Sequence, residues 1–267
     1  MKVLITSASS GIGQTVASAL GKHDLRLTDL AGHAGSAGRG RASIQPNELN
    51  HDDATDKLVA GLEAIVHIGY ADSSAGPAWQ QAADATALLD YYSRRTYNLL
   101  LAASNAKVER CIYVSTLRLL QDYEENLTVT ERWRPHPPSD DPALLACHIG
   151  EIVCKEFARD RLIKTATVRL GWPVVPGARA KAARSGETAA IAIDDVATAL
   201  NAALKAEIEQ WQDIHVQSPV AHQRFLMHAA QKFLSFPSPA PQAPQAAPPQ
   251  RAARGSPTRS SRKGGRK

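Results

Sequence analysis

Val3-Leu4-Ile5-Thr6-Ser7-Ala8-Ser9-Ser10-Gly11-Ile12-Gly13 is the stretch on which the fold turns. Three apolar residues with no polar face read as a buried strand, and Ile12 to Leu20 reads as a helix. Small residues fill the turn between them. A diphosphate can approach such a turn closely, because backbone amides and the macrodipole at the helix N-terminus favour negative charge. Gly11 and Gly13 supply the tight bend, and Ser7 stands where glycine is usual. Leu25 to Leu30 reads as the second strand and places Asp29 at its end, 18 positions beyond Gly11. An acid there can hold the adenosine ribose hydroxyls and would repel a 2′-phosphate, which favours NAD over NADP. Ser7, Ser10, Gly11, Ile12, Gly13 and Asp29 form the candidate cofactor set. The alternative is an ordinary strand-to-helix turn without a ligand. Arg39 and Arg41 offer charge for a 2′-phosphate, but in a Gly-rich stretch (Gly32, Gly35, Gly38, Gly40) they read as solvated.

The rest of the body repeats the alternation. Ala64-Ile65-Val66-His67-Ile68 is a buried strand broken at Gly69, and a helix covers about residues 82–105. Cys111 to Ser115 and Thr165 to Leu170 are further strands, with a Pro-containing loop over 121–141 and a helix from about Pro142 to Arg161 between them. Strands lacking a polar face, alternating with helices, predict a parallel sheet covered on both sides. The expected class is α/β, a doubly wound Rossmann-type sheet over residues 1–234. Within it a small C-terminal lobe over about 172–234 would hold a helix near Asp195 to Lys205, a strand at Ile214-His215-Val216 and a last helix near His222 to Phe233. Arg179, Lys181 and Arg184 in this lobe could meet a phosphate or carboxylate, or belong to an exposed loop.

Composition excludes several classes. No run of about 18 or more apolar residues is present, so a membrane-spanning helix is not expected. Met1 to Thr6 lacks the apolar segment of a secretory signal. Cys111, Cys147 and Cys154 cannot build a disulfide framework, which suits a reducing cytoplasm. The formal net charge of +5 is unevenly placed: seven basic residues and no acid lie from Arg251 onward, leaving 24 basic against 26 acidic residues before it. Seven of the 16 prolines fall between Pro237 and Pro257. Residues 235–267 therefore read as a disordered Pro/Ala-rich basic tail. Such a tail is a solvated extension or a non-specific contact for nucleic acid, and beyond Phe236 it has no aromatic for stacking on bases. The histidines show no metal-ligand spacing, so no metal is expected.

Taken together, the chain resembles the extended branch of the short-chain dehydrogenase/reductase superfamily, the NAD-dependent epimerase/dehydratase family. The resemblance rests on the Thr6–Gly13 turn, Leu27-Thr28-Asp29-Leu30, Ala64 to Gly69 and Thr96-Tyr97-Asn98-Leu99-Leu100. It continues in Tyr113-Val114-Ser115-Thr116, Val168-Arg169-Leu170-Gly171 and Ile193-Asp194-Asp195-Val196-Ala197. It implies that Asp52 or Asp53 holds the adenine, that Gly69 lines the cofactor, and that the helices at 82–105 and 142–161 form a homodimer interface. It also implies catalysis by a hydroxyl after the fifth strand, where Thr116 fits with Ser115 beside it, and by a Tyr-x-x-x-Lys pair on the next helix. Those two positions hold Ala143 and Cys147, and no tyrosine occurs from Glu124 onward.

Replacements for the missing pair are not evident. Cys147 and Cys154 share a helix face and read as small core residues. Lys155 lies about 12 Å along the helix from Cys147 at ~1.5 Å per residue. Tyr123, in the loop, reads as a surface aromatic. Two functions stay open: an NAD-dependent oxidoreductase or epimerase on a small or sugar-like substrate with a non-standard acid/base, and a non-catalytic NAD-binding sensor or scaffold.

Overall fold

The computed structural model describes residues 1–33, 43–69, 83–177, 179–184, 187–220 and 223–236. Arg39, Arg41 and the basic tail from residue 237 lie outside the described residues. Among those described, no helix is long and apolar enough to cross a membrane.

Strand β1 (Lys2–Ile5) leads into α1 (Gly11–Ala19), β2 (Asp24–Asp29), β3 (Ile44–Pro46), α2 (Asp53–Val59) and β4 (Ala64–Ile68). Next, α3 (Ala85–Asp90) passes through a π-helical stretch (Tyr91–Arg95) into α4 (Thr96–Asn105). Then follow β5 (Arg110–Thr116), α5 (Pro142–Arg159), β6 (Lys164–Leu170), β7 (Val174–Val175) and α6 (Arg179–Arg184). The chain closes with β8 (Ile191–Ala192), α7 (Ile193–Ala203), β9 (Trp211–Val216) and α8 (His228–Leu234). Seven strands form one parallel sheet in the order β3-β2-β1-β4-β5-β6-β9. The Rossmann reading therefore holds.

The period-two geometry of a strand divides the core between the two faces. Val3 and Ile5 pack with Ile12 and Val16 of α1 and with Val196 and Leu200 of α7. Leu4, between them, points the other way, toward the layer containing Leu99, Tyr113 and Cys147. Both faces are apolar because both carry helices.

Three elements differ from the sequence reading. The strand expected at Ile214-His215-Val216 within the lobe is the end of β9, which pairs with β6 in the main sheet, from Thr165↔Trp211 to Leu170↔Val216. The helix expected near Asp195 also belongs to the main body, since Val196, Ala199 and Leu200 join the core cluster of α1. What stands apart is the short β7–β8 pair with α6, so the lobe is smaller than expected. Finally, Ser235, a left-handed C-cap, and Phe236 belong with the body: the Phe236 ring is buried and its amide donates to Ala230 O at 3.1 Å.

Candidate functional site: the strand ends and the nucleotide turn

The first turn owes its shape to close contacts. A Cβ on Gly13 would lie 2.5 Å from Ser7 O and 2.8 Å from Ala8 Cα, so only glycine lets α1 approach the end of β1. Ser10 is the N-cap of α1: its hydroxyl accepts from the Gly13 amide at 2.9 Å and donates to Ser7 O at 2.7 Å. Gly11 and Ile12 begin the helix, and their amides have no intrahelical acceptor. Those two N–H groups are what the turn offers an anion.

Ser7 carries a φ of +47°, the left-handed region that costs a residue with a Cβ roughly 1–2 kcal/mol. That is why glycine is usual there. A 3.1 Å hydrogen bond between its hydroxyl and the phenol of Tyr91, both buried, holds the conformation. Burial pushes the Tyr91 phenol up to about 12, so it is neutral here.

Asp29 stands where the sequence puts it, at the end of β2 facing the turn. Its Oδ2 accepts from the amide (3.1 Å) and hydroxyl of Ser9, and its Oδ1 from the Leu30 amide at 2.9 Å. The residue is only 3% exposed. An ionised carboxylate offers about four acceptor sites, and a ribose diol at Asp29 would join Ser9 in using them.

Asp52 and Asp53 stand at the start of α2. Asp52 is the N-cap of α2, accepting from the Thr55 amide at 2.9 Å, and Asp53 is the first helical residue. The acid that reaches the end of β2 is instead Glu48, whose Oε1 accepts from the Ala31 amide at 2.9 Å and which pairs with Arg95 of the π-helical stretch. β3 has only three residues, too few for a periodic signal, so the position of Glu48 was hidden in the sequence. Gly69 is fixed by packing: a Cβ there would sit 2.3 Å from Tyr113 Cζ. Gly150 on α5 makes room for the same ring, since its Cβ would meet the Tyr113 hydroxyl oxygen at 2.0 Å.

At the end of β5, Thr116 accepts from the Arg118 amide at 3.2 Å and is 3% exposed. Ser115 points inward and donates to Glu151 Oε1 at 2.6 Å, with Cys147 Sγ 3.3 Å away. Cys147 is fully buried, and burial pushes its thiol up to about 12, which keeps it protonated and a poor nucleophile. Cys154 is buried on the same face, its thiol also raised by burial. Tyr123 packs edge-on against Trp133 at 4.6 Å between ring centres and donates to Arg134 O at 2.9 Å. Lys155 extends away, its Nζ 4.0 Å above the Trp211 ring. Arg118 bridges outward, its guanidinium 3.5 Å from Asp141, the N-cap of α5 two residues before Ala143.

No protein-family model matches the chain. It is 27% identical over 172 residues to a uronate dehydrogenase of Pseudomonas syringae pv. tomato, a match spanning 64% of this chain and 58% of the relative. Among solved structures, glucuronic acid dehydrogenase from Chromohalobacter salexigens superposes with a TM-score of 0.69 at 21% identity, covering 88% of this chain and 83% of the other. UDP-glucuronic acid 4-epimerase from Bacillus cereus, in complex with NAD, gives 0.64 at 19% identity over 90% and 91%. The fold that this chain shares with those structures is thus a Rossmann-type α/β sheet.

Proposed function

We propose that the chain binds NAD and works as an oxidoreductase or epimerase of the extended short-chain dehydrogenase type on a sugar-like substrate. The observation that carries this reading is the turn, in which Asp29 is tied to the Ser9 amide while α1 opens on the Gly11 and Ile12 amides. The diphosphate would sit on those two amides, and Asp29 would hold the ribose and disfavour a 2′-phosphate. The bound cofactor would supply the hydride chemistry, while the protein would orient the substrate and move its proton. Thr116 would hydrogen-bond a substrate oxygen. With Ala143 and Cys147 unable to take a proton, the carboxylate offered by the same end of the sheet is Asp141, linked through Arg118 to Thr116.

The uronate dehydrogenase likeness supports a sugar acid as the first substrate class to try. A non-catalytic NAD-binding role is favoured by one specific finding, the sealed Cys147 at the expected lysine position. The exposed Tyr97 and Ile152 on α4 and α5 support a homodimer through these helices. The basic tail would add a non-specific acidic partner.

One experiment separates the readings. Purified protein is titrated with NADH and then incubated with NAD and uronic acids or nucleotide sugars while absorbance is followed. The enzyme reading expects turnover that Asp141→Asn lowers at least tenfold, the asparagine keeping the helix cap. NADH binding without turnover would leave the sensor role, and no NADH binding would overturn both.

A further inference from the structure

On the α5 side of the sheet, between α5, the edge strand β9 and the loop 131–135, lies a cavity of about 380 Å³. None of Ser7–Gly13, Asp29 or Thr116 lines it. Its walls combine buried donors with a shortage of acceptors. Arg169 Nη1 is buried at this cavity and makes no hydrogen bond, whereas His148 Nδ1 lies 3.7 Å from Glu151 Oε2 and Trp211 interacts with Asp213. A buried polar atom without a partner is uncommon and calls for an explanation.

The acids around the cavity are already committed. Glu151 takes two hydrogen bonds from Arg169, at 2.9 and 2.8 Å, and one from Ser115. Asp213 lies 3.3 Å from Arg169 Nη2, and Glu131 caps α8 by accepting from the Ala229 amide at 2.9 Å. Three further cations, Arg132, Arg134 and Lys155, line the cavity, and none forms an ion pair with a carboxylate among the described residues. Two indoles, Trp133 and Trp211, complete the wall. Donors in surplus select a ligand rich in acceptors and negative charge, and indole surfaces suit the C–H faces of a sugar ring.

We propose that this cavity is a second ligand site for a monosaccharide-sized anion, a sugar bearing a carboxylate or a phosphate, held by Lys155, His148 and the free edge of Arg169. It is separate from the nucleotide turn yet one hydrogen bond from the strand that carries Thr116, because Glu151 at its wall receives the Ser115 hydroxyl. Occupancy would thus be felt at the end of β5.

Calorimetric titration with glucuronate and, separately, with glucose 6-phosphate tests the site at constant ionic strength, with glucose as the neutral control. The expected result is saturable one-to-one binding of at least one anion and none of glucose. The anion that binds tells carboxylate from phosphate. Lys155→Gln, at an exposed position, should weaken that binding at least tenfold and leave NADH affinity unchanged. The site is overturned if neither anion binds, if glucose binds equally well, if Lys155→Gln has no effect, or if NADH displaces the anion. Measuring NADH on the same sample keeps this outcome distinct from that of the nucleotide site.

Discussion

Arg169→Met is expected to lower the unfolding free energy by about 3–5 kcal/mol, the range found when one partner of a buried ion pair is removed. Arg169 is 2% exposed and faces two acids, Glu151 and Asp213. Burial alone would push the Glu151 carboxyl up, but the Arg169 charge and its hydrogen bonds overcome that and hold it below the ordinary carboxylate range. Methionine leaves two carboxylates in a dry place with no cation between them. Burial already holds the Asp213 carboxyl up at about 6 beside Arg169. Without that cation it would rise further, and Glu151 would rise above its unfolded value too. The variant's stability should therefore be greatest in acid and be lost as pH rises above about 4 through the raised folded values. Urea unfolding of both proteins at pH 5 and 7.5 checks this. The gap between them should widen at the higher pH. A difference below about 1 kcal/mol that ignores pH would show that the pair is not buried as described.

The wild-type protein should itself lose about 2–4 kcal/mol of stability between pH 7.5 and 4.5, mostly through two histidines. Burial moves His67 from its ordinary 6.5 down to about 3. His215 falls to about 3 as well, through burial first and the nearby Arg169 charge second. His67 bridges Thr6 and Thr96 at 2.8 and 2.9 Å. Thr96 spends its own proton on Tyr91 O, so the His67 Nε2–H donates to Thr96 and Nδ1 accepts from Thr6. A neutral imidazole satisfies both hydroxyls. With folded pKa values depressed, this stability is complete above 6.5 and drains away as pH falls toward 3, because the unfolded chain takes protons first. Asp213 opposes part of the loss, since burial raises its carboxyl. His67→Gln should remove close to half of the pH dependence, read from urea midpoints. A wild-type midpoint no lower at pH 4.5 than at pH 7.5, or a pH dependence that His67→Gln leaves untouched, would contradict the assignment.

Strands with no polar face announced the buried parallel sheet, and Asp29 could be placed because it ends a strand long enough to be recognised. Glu48 could not, since β3 is three residues long and carries no period. The role of β9 was obscured for another reason. Its first half, Trp211-Gln212-Asp213, is half-buried and looks like an edge or a loop, yet Asp213 is drawn in by Arg169 from the neighbouring strand. The same long-range charge pairing hid the second cavity, whose residues come from α5, β6, β9 and the loop at 131–135. Ser7 could be flagged as unusual in the sequence, but the Tyr91 phenol that steadies it lies 84 positions away.

Asp29 and the amides of the first turn are expected to grip a dinucleotide lacking a 2′-phosphate. Fluorescence titration of the full chain with NADH and with NADPH, repeated on Asp29→Ala, tests it most directly. NADH should bind at least tenfold more tightly than NADPH, and the substitution should erase most of that preference. Equal affinity of the unaltered protein for both nucleotides, or a preference that survives without the carboxylate, would contradict it.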